Sequence, residues 1–146
     1  MKPRTSLITL SVSDLARSVW FYRDGLRLPL RKFSKGIAFF VTRGTWLSLC
    51  PNEGMPAHAT ALSHGTTPPG FAIVHNVRSL KEVDALLDQA RAAGAKVIKP
   101  IWNVSWGGYA GYFADTDGYL WEVAWKPDFP IELCQGSGCS PATQCP

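Results

Sequence analysis

The stretch Ile8-Thr9-Leu10-Ser11-Val12 alternates apolar and polar residues with the period of a half-buried β-strand. Ser13 follows it as a candidate helix N-cap. Apolar residues then recur at helical spacing up to a stop signal near Gly25, at positions Leu15, Val19, Tyr22 and Leu26. The stretch therefore predicts a strand that leads directly into an amphipathic helix.

A second copy of this pattern begins at residues 71–74. The sequence Ser79-Leu80-Lys81-Glu82 has the form of a capping box, in which the first and fourth side chains satisfy free backbone N–H groups at a helix start. A buried stripe then runs to Gly94 through Val83, Leu86, Leu87 and Ala90. Equivalent landmarks lie at similar separations: 65 residues from Val12 to Val77, 69 from Gly25 to Gly94, and 74 from Gly44 to Gly118.

Three strand-like segments follow each helix, with turns at residues 42–45 and 115–118. The segments are residues 28–33, 37–41 and 46–50 in the first copy, and 96–101, 109–114 and 119–125 in the second. Both copies therefore read β-α-β-β-β, and we predict an α+β fold made of two such modules.

The domain boundaries follow from this repeat and from shifts in composition. The first module spans residues 1–50, a Pro-, Gly-, Thr- and Ala-rich linker spans 51–69, and the second module spans 70–126. We expect residues 1–126 to form a single domain. Residues 127–146 lack periodicity, so we expect an extended, disordered tail.

The composition of the 146-residue chain, with 46% hydrophobic residues, fits one globular domain and excludes disordered and collagen-like proteins. No apolar run approaches the roughly 20 residues of a membrane span, and no signal-peptide core is evident, so we expect a cytoplasmic protein. Three of the four cysteines lie in the tail. They could capture a soft metal ion, although an unstructured extension is favoured and no disulfide is demanded.

The positive charge is concentrated at the start of the chain. Residues 1–43 carry nine Lys/Arg and two Asp/Glu, whereas residues 44–146 carry six and nine. The basic residues are scattered through the first module while most aromatic rings lie in the second, which disfavours binding of nucleic acid. A net charge of +4 also repels cationic ligands, so a neutral or anionic small molecule is favoured.

The motif Val12-Ser13-Asp14-Leu15 followed by Phe21-Tyr22, together with Asp115-Thr116-Asp117-Gly118 followed by Trp121-Glu122-Val123, resembles the vicinal oxygen chelate superfamily. This is the group of glyoxalase I, bleomycin-resistance proteins and extradiol dioxygenases, and the resemblance spans about residues 5–125. It implies that the sheets of both modules curve around a shared cavity, with the helices outside, and that the protein is a homodimer.

The resemblance also implies four metal-ligand positions, in the first and last strand of each module. Matching the two copies places Leu7, Ala72, Ser48 and Glu122 there. Only Glu122 is a good ligand, so we expect neither a family-type metal nor another cofactor. We interpret His75, which the strand period turns towards the helices, as a buried structural residue, and His58 and His64 as loop residues.

Glu122 is then a carboxylate directed into the cavity, where it could act as a general base or accept a hydrogen bond from a ligand. The alternative is a structural role, in which Glu122 bonds Thr9, Ser11 or Ser48 across the cavity floor. Both remain open from the sequence.

Aromatic residues indicate the kind of ligand. A glycine-rich segment carries Trp102, Trp106, Tyr109 and Tyr112, and Trp46 is expected to line the same side as Ser48. Such rings offer flat apolar walls with a polar edge. We therefore expect a planar small molecule bound by these rings with Thr9, Ser11, Ser48 and Glu122, although rings could instead fill the core or a dimer interface.

Three functions are consistent with these observations. The first is a metal-free binding protein for a planar organic molecule, which could confer antibiotic resistance by sequestration. The second is an isomerase, lyase or dioxygenase that uses Glu122 as base, with His75 as an unusual ligand. The third is a partner-regulated or structural module with an empty, closed cavity.

Overall fold

A computed structural model describes residues 5–34, 36–54, 70–105 and 107–127. Most of the predicted linker, from residue 55 to residue 69, and the tail from residue 128 onwards lie outside the described residues. Trp106 and the linker histidines His58 and His64 lie outside them as well.

The first module has the predicted order of elements. Its strands and helix are β1 (Leu7–Val12), α1 (Leu15–Trp20), β2 (Leu30–Ser34), β3 (Ile37–Phe40) and β4 (Trp46–Pro51). A π-helical turn, Phe21–Gly25, continues α1, and a 3₁₀ turn, Asn52–Gly54, follows β4.

The second module repeats this order. Its elements are β5 (Ile73–Asn76), α2 (Leu80–Ala92), β6 (Lys96–Asn103), β7 (Tyr109–Ala114) and β8 (Leu120–Trp125). The two sheets have equivalent strand orders, β1-β4-β3-β2 and β5-β8-β7-β6. In each sheet the first and last strands of the module are parallel and the remaining neighbours are antiparallel. The predicted α+β fold of two βαβββ modules is confirmed.

The start of α1 differs by one residue from the prediction. Asp14 is the N-cap, and its carboxylate accepts a hydrogen bond from the backbone N–H of Arg17. Ser13, the predicted cap, instead donates its hydroxyl and its backbone N–H to the Asp117 carboxylate, both at 2.8 Å. A partner about a hundred residues away in sequence therefore decides which residue caps the helix.

The start of α2 agrees with the predicted capping box. The Ser79 hydroxyl accepts from the backbone N–H of Glu82 at 3.3 Å, and the Glu82 carboxylate accepts from the backbone N–H of Arg78 at 2.9 Å. Val83, Leu87 and Ala90 are buried on one side of this helix. The capping box and the apolar stripe thus fix both the first turn of α2 and the side that packs on its sheet.

The two modules share one core on the sides of the sheets that face the helices. Leu10 and Val12 of β1 are buried, as the strand period predicted, and belong to a core cluster with residues of both modules. A side chain at Gly25 would meet Ala93 at 2.5 Å, so the turn after α1 and the end of α2 lie in close contact. Aromatic rings of both modules fill this core, the largest being Tyr22, Phe21, Phe40 and Phe113.

Among the described residues, none of the helices combines the length and the apolar character that a membrane crossing needs.

Candidate ligand-binding face

Each sheet has a second face, directed away from its helix, which we call the open face. In module two, strand register places four side chains side by side across the open face. Val74 pairs with Glu122, Glu122 with Tyr112, and Tyr112 with Lys99. Directly paired residues project to the same side of a sheet. We call these four residues the module-two row.

Aromatic rings extend this row at the β6 edge. The Trp102 and Tyr112 rings stack with centroids 5.5 Å apart and planes at 25°. The Lys99 ammonium lies 3.5 Å from the centroid of the Trp102 ring, within the range of a cation–π interaction. This part of the open face therefore combines two stacked rings with a positive charge that lies over the indole.

Tyr112 and Glu122 form the polar centre of the row. Burial, and then the neighbouring Glu122 carboxylate, raise the pKa of the Tyr112 phenol above its usual value. The phenol therefore stays protonated at neutral pH and keeps a proton to donate. Next to it, Glu122 supplies carboxylate oxygens that accept. The pair can thus offer both a donor and an acceptor to a ligand lying against Trp102.

Module one carries an equivalent set of residues, which we call the module-one row. Thr9 pairs with Ser48, Ser48 with Phe39, and Phe39 with Lys32. The Thr9 and Ser48 hydroxyls bond each other at 2.7 Å, and Ser48 is 1% exposed. Because these two hydroxyls hydrogen-bond each other, they are less available to a ligand than the Glu122 carboxylate.

Trp46 lies on the same open face as Ser48, as predicted from the strand period, and it is 39% exposed. Leu7, which pairs with it, is 42% exposed. The open face of module one is therefore apolar at this end.

The alternative role for Glu122, in which it bonds Thr9, Ser11 or Ser48, does not agree with the hydrogen bonds of the described residues. Ser11 donates its hydroxyl to Asn52 at 2.6 Å, while Thr9 and Ser48 bond each other. Within the described residues, no hydrogen bond, ion pair or ring stack joins the module-one row to the module-two row. The contacts between the modules lie on the helix-facing sides of the sheets instead.

Tyr109 is placed away from the predicted site. It lies on the same side of β7 as Phe113 and packs against the core. Gly111 lies between them, where an added side chain would meet Leu87 at 2.4 Å, so this side of β7 faces α2. The period of two along a strand therefore separates Tyr109 from Tyr112.

His75 is directed towards the helices, as predicted, but it is exposed and not buried. Partial burial of its ring lowers the pKa of His75, and the negative charge of Glu82 offsets part of this shift by raising the pKa. His75 therefore lies on the opposite side of the sheet from Glu122.

Sequence reasoning missed Lys99, Phe39 and the pairing of Tyr112 with Glu122. A partial signal for this pairing was present, because Tyr112 lies three residues before the turn at residues 115–118 and Glu122 four residues after it. This signal alone does not predict the pairing, because the register of β7 and β8 must also be known.

The residues at the family's metal positions do not fit a metal centre. Leu7 and Ala72 have no lone pair to donate, and Ser48 is bonded to Thr9. Within the ranges that the structure describes, no three His, Cys, Asp or Glu side chains converge as ligands. Glu122 alone would leave a divalent ion with mostly water ligands, and such sites are weak.

A buried polar cluster holds the two modules together on the other side of the sheet. The Tyr22 hydroxyl of module one donates to the Asp115 carboxylate and accepts from the indole N–H of Trp121 at 3.1 Å. The same carboxylate accepts from the backbone N–H groups of Asp117 and Tyr119. Burial raises the pKa of Asp115 and, more strongly, that of Tyr22.

Asp117 forms the rim of this cluster. Burial acts to raise the pKa of its carboxyl, but hydrogen bonds from Ser18 and Ser13 and the charge of Arg17 outweigh it, so the pKa lies below its usual value. The Ser18 hydroxyl donates at 2.6 Å, and the Arg17 guanidinium lies 3.3 Å away. The turn of module two thereby binds the first helix of module one.

Comparison with known proteins agrees with this architecture. Residues 4–123 match the family model described as the Glyoxalase/Bleomycin resistance protein/Dioxygenase superfamily. The metallothiol transferase FosB of Staphylococcus haemolyticus is 30% identical over 121 residues, which cover 80% of this chain and 78% of FosB.

Solved structures give the same result. A glyoxalase-related enzyme from Fulvimarina pelagi superposes with a TM-score of 0.76 and 31% identity, over 88% of this chain and 92% of that one. A lactoylglutathione lyase from Agrobacterium tumefaciens shares the fold at a TM-score of 0.67 and 22% identity, over 90% of this chain and all of the lyase chain. The chain therefore belongs to the glyoxalase/bleomycin resistance protein/dioxygenase superfamily.

Proposed function

We propose that the protein binds a small planar organic molecule, neutral or anionic, on the open face of module two, without a family-type metal ion. The observation that carries this proposal is the row in which the stacked Trp102 and Tyr112 rings stand between Lys99 and Glu122. One ligand ring can take the place of the Lys99 ammonium over the indole, while its polar groups meet the Tyr112 hydroxyl and the Glu122 carboxylate.

The charges of the row support a neutral or anionic ligand over a cationic one. Lys99 is exposed beside the ring wall, where its ammonium can attract an anionic substituent. A neutral hydroxyl or amide can donate to Glu122. The net charge of +4 opposes the approach of a cation at long range.

A second copy of the chain is proposed to cover the open faces. Leu7 and Trp46 are exposed on one sheet, and Val74 is 51% exposed on the other. Apolar groups at these positions gain free energy when a partner removes them from water. Light scattering should give twice the 16.0 kDa mass of one chain.

The proposal is tested by calorimetric titration with two planar probes, 2-naphthol and naphthalene-2-sulfonate. Trp102→Ala should weaken both about tenfold, since an aromatic pair contributes roughly 0.5–1.5 kcal/mol beyond its buried area. Lys99→Gln should weaken only the sulfonate, and Glu122→Gln only the naphthol.

Trp20→Ala is the matched control, because Trp20 is 51% exposed on α1, outside both rows. It should leave both affinities unchanged. Equal losses in Trp102→Ala and Trp20→Ala would mean that the probes bind exposed tryptophans in general, and would end the proposal.

An enzymatic function is the second candidate, favoured by the contact of a protonated phenol with a carboxylate and by the enzyme names of the relatives. Glu122 would act as base and Tyr112 as proton donor to a bound carbonyl compound. A mixture of metabolites incubated with the wild type should then lose one compound that remains after incubation with Glu122→Gln. Identical consumption by both proteins would exclude Glu122 as the base.

A further inference from the structure

A small pocket lies on the helix-facing side of sheet two. Strand alternation separates it from the module-two row, because Trp121 and Val123 project to one side of β8 and Glu122 to the other. Seven residues from both modules line it: Leu26, Leu28, His75, Leu86, Phe113, Trp121 and Val123.

The floor of the pocket is aromatic and apolar. The Phe113 and Trp121 rings stack in parallel, with centroids 6.1 Å apart and planes at 1°. The one polar atom of these rings, the indole nitrogen, already donates to the Tyr22 hydroxyl at 3.1 Å. Leucines from the chain after α1 and from α2 form the sides. The floor thus favours a planar apolar group and offers it no polar partner.

His75 is the polar group among the lining side chains. Within the described residues its ring makes no hydrogen bond, and the ring is exposed at the mouth of the pocket, where a ligand can reach it. Partial burial lowers the pKa of His75, so the imidazole is neutral near pH 7 and carries one N–H donor and one acceptor nitrogen. The ring can therefore bond a hydroxyl group in either direction.

The size of the pocket limits the occupant. The cavity volume is about 70 Å³, whereas an apolar cavity of roughly 150 Å³ holds a whole benzene molecule. A single ring can therefore enter with one edge and leave its other edge at the open mouth. Two fused rings would project mostly into water.

The charges around the pocket argue against an ionised ligand. None of the lining residues is a lysine, arginine or carboxylate. The charge of the Glu82 carboxylate acts on His75, and it also repels an anion. A neutral hydroxyl pays a smaller desolvation cost than a carboxylate at such a site.

We propose that this pocket is a second binding site, and that it takes a small neutral phenol. The aromatic ring lies against Phe113 and Trp121, and the hydroxyl group bonds the free imidazole of His75. The site is independent of the module-two row, since the two lie on opposite sides of the sheet.

The test is a titration of the full chain with p-cresol and with toluene, which lacks the hydroxyl group, followed by the methyl NMR signals. p-Cresol should shift Leu26, Leu86 and Val123 with a Kd of about 1 mM, typical of a single half-buried ring. Toluene should shift the same signals about fivefold more weakly, the effect of one net neutral hydrogen bond. Val74, on the opposite side of the sheet, serves as the internal reference and should not shift.

Variants separate the hydrogen bond from the pocket itself. His75→Phe should bind p-cresol and toluene equally, Leu86→Trp should fill the pocket and bind neither, and Asp84→Asn, an exposed change on the same helix, should match the wild type. The proposal is overturned if no saturable shift occurs at Leu26 and Leu86, if Val74 shifts first, or if His75→Phe keeps the preference for p-cresol.

Discussion

In module one, Ser48 of β4 hydrogen-bonds Thr9 of β1, and the two hydroxyls satisfy each other. At the equivalent place in module two, Glu122 of β8 lies beside Val74 of β5, which offers it no bond. The strand pairing is the same in both modules, so the difference lies in the side chains alone. A carboxylate without a partner on its first neighbouring strand remains available to Tyr112 and to a ligand.

The helix-facing sides of the modules differ in a second way. The turn of module two binds module one through Asp115, Asp117 and Tyr119. The equivalent turn of module one, around Gly44, has Thr45, whose exposed hydroxyl donates only to the Thr5 carbonyl. Both modules therefore have the same strand order, but only the turn of module two makes these bonds to the other module. We call the bonds of Asp115, Asp117 and Tyr119 the clamp.

The largest effect is expected at Asp115. Asp115→Ala leaves the Tyr22 hydroxyl and two backbone N–H groups without their acceptor, and should lower the free energy of unfolding by about 3–5 kcal/mol. Val41→Ala, at the matching position of module one, should cost about 1 kcal/mol. Urea unfolding at pH 7 measures both, and equal losses would show that the clamp is not confined to module two.

A smaller effect separates Tyr119 from Thr45, the matched residues after the two turn glycines. The Tyr119 hydroxyl accepts from the Ser11 N–H at 3.0 Å and donates to the Ser11 carbonyl at 2.8 Å. Tyr119→Phe should therefore destabilise by about 1–2 kcal/mol, and Thr45→Val by about 0.5 kcal/mol or less. The Tm of Tyr119→Phe should be lower than that of Thr45→Val. A lower Tm for Thr45→Val would contradict the comparison.

The smallest effect concerns pH and His75. Because the folded pKa of His75 is lowered, the unfolded chain takes up this proton at a higher pH than the folded chain does. Stability is therefore lost as the pH falls from about 6.5 towards the folded value. The urea midpoint should fall less between pH 7.5 and pH 5 in His75→Phe than in the wild type. An equal fall in both proteins would mean that other groups cause the pH dependence.

Periodicity and local motifs predicted much of this structure from sequence. The separations of 65 and 74 residues between the repeats match the observed equivalence of Thr9 with Val74 and of Ser48 with Glu122. This works because the strand order and pairing are the same in both modules, although the paired positions are 39 residues apart in module one and 48 apart in module two. The capping box at Ser79 also succeeded, since its bonds span only a few residues.

Contacts between distant residues were not predictable in this way. The bond of Tyr22 to Asp115 joins positions 93 residues apart, and it depends on how the two modules pack. The same packing draws Ser13 to Asp117, so that Asp14 becomes the N-cap. The position of Tyr109 required the exact register of β7, which a glycine-rich segment leaves undetermined by pattern alone.

The central claim is that module two binds its ligand without a family-type metal ion. The most direct measurement is the titration of naphthalene-2-sulfonate before and after treatment with EDTA, with the metal content of the same sample measured by mass spectrometry. The account predicts well under one bound transition metal per chain and an unchanged Kd. One tightly held metal per chain, together with loss of probe binding after chelation, would contradict it.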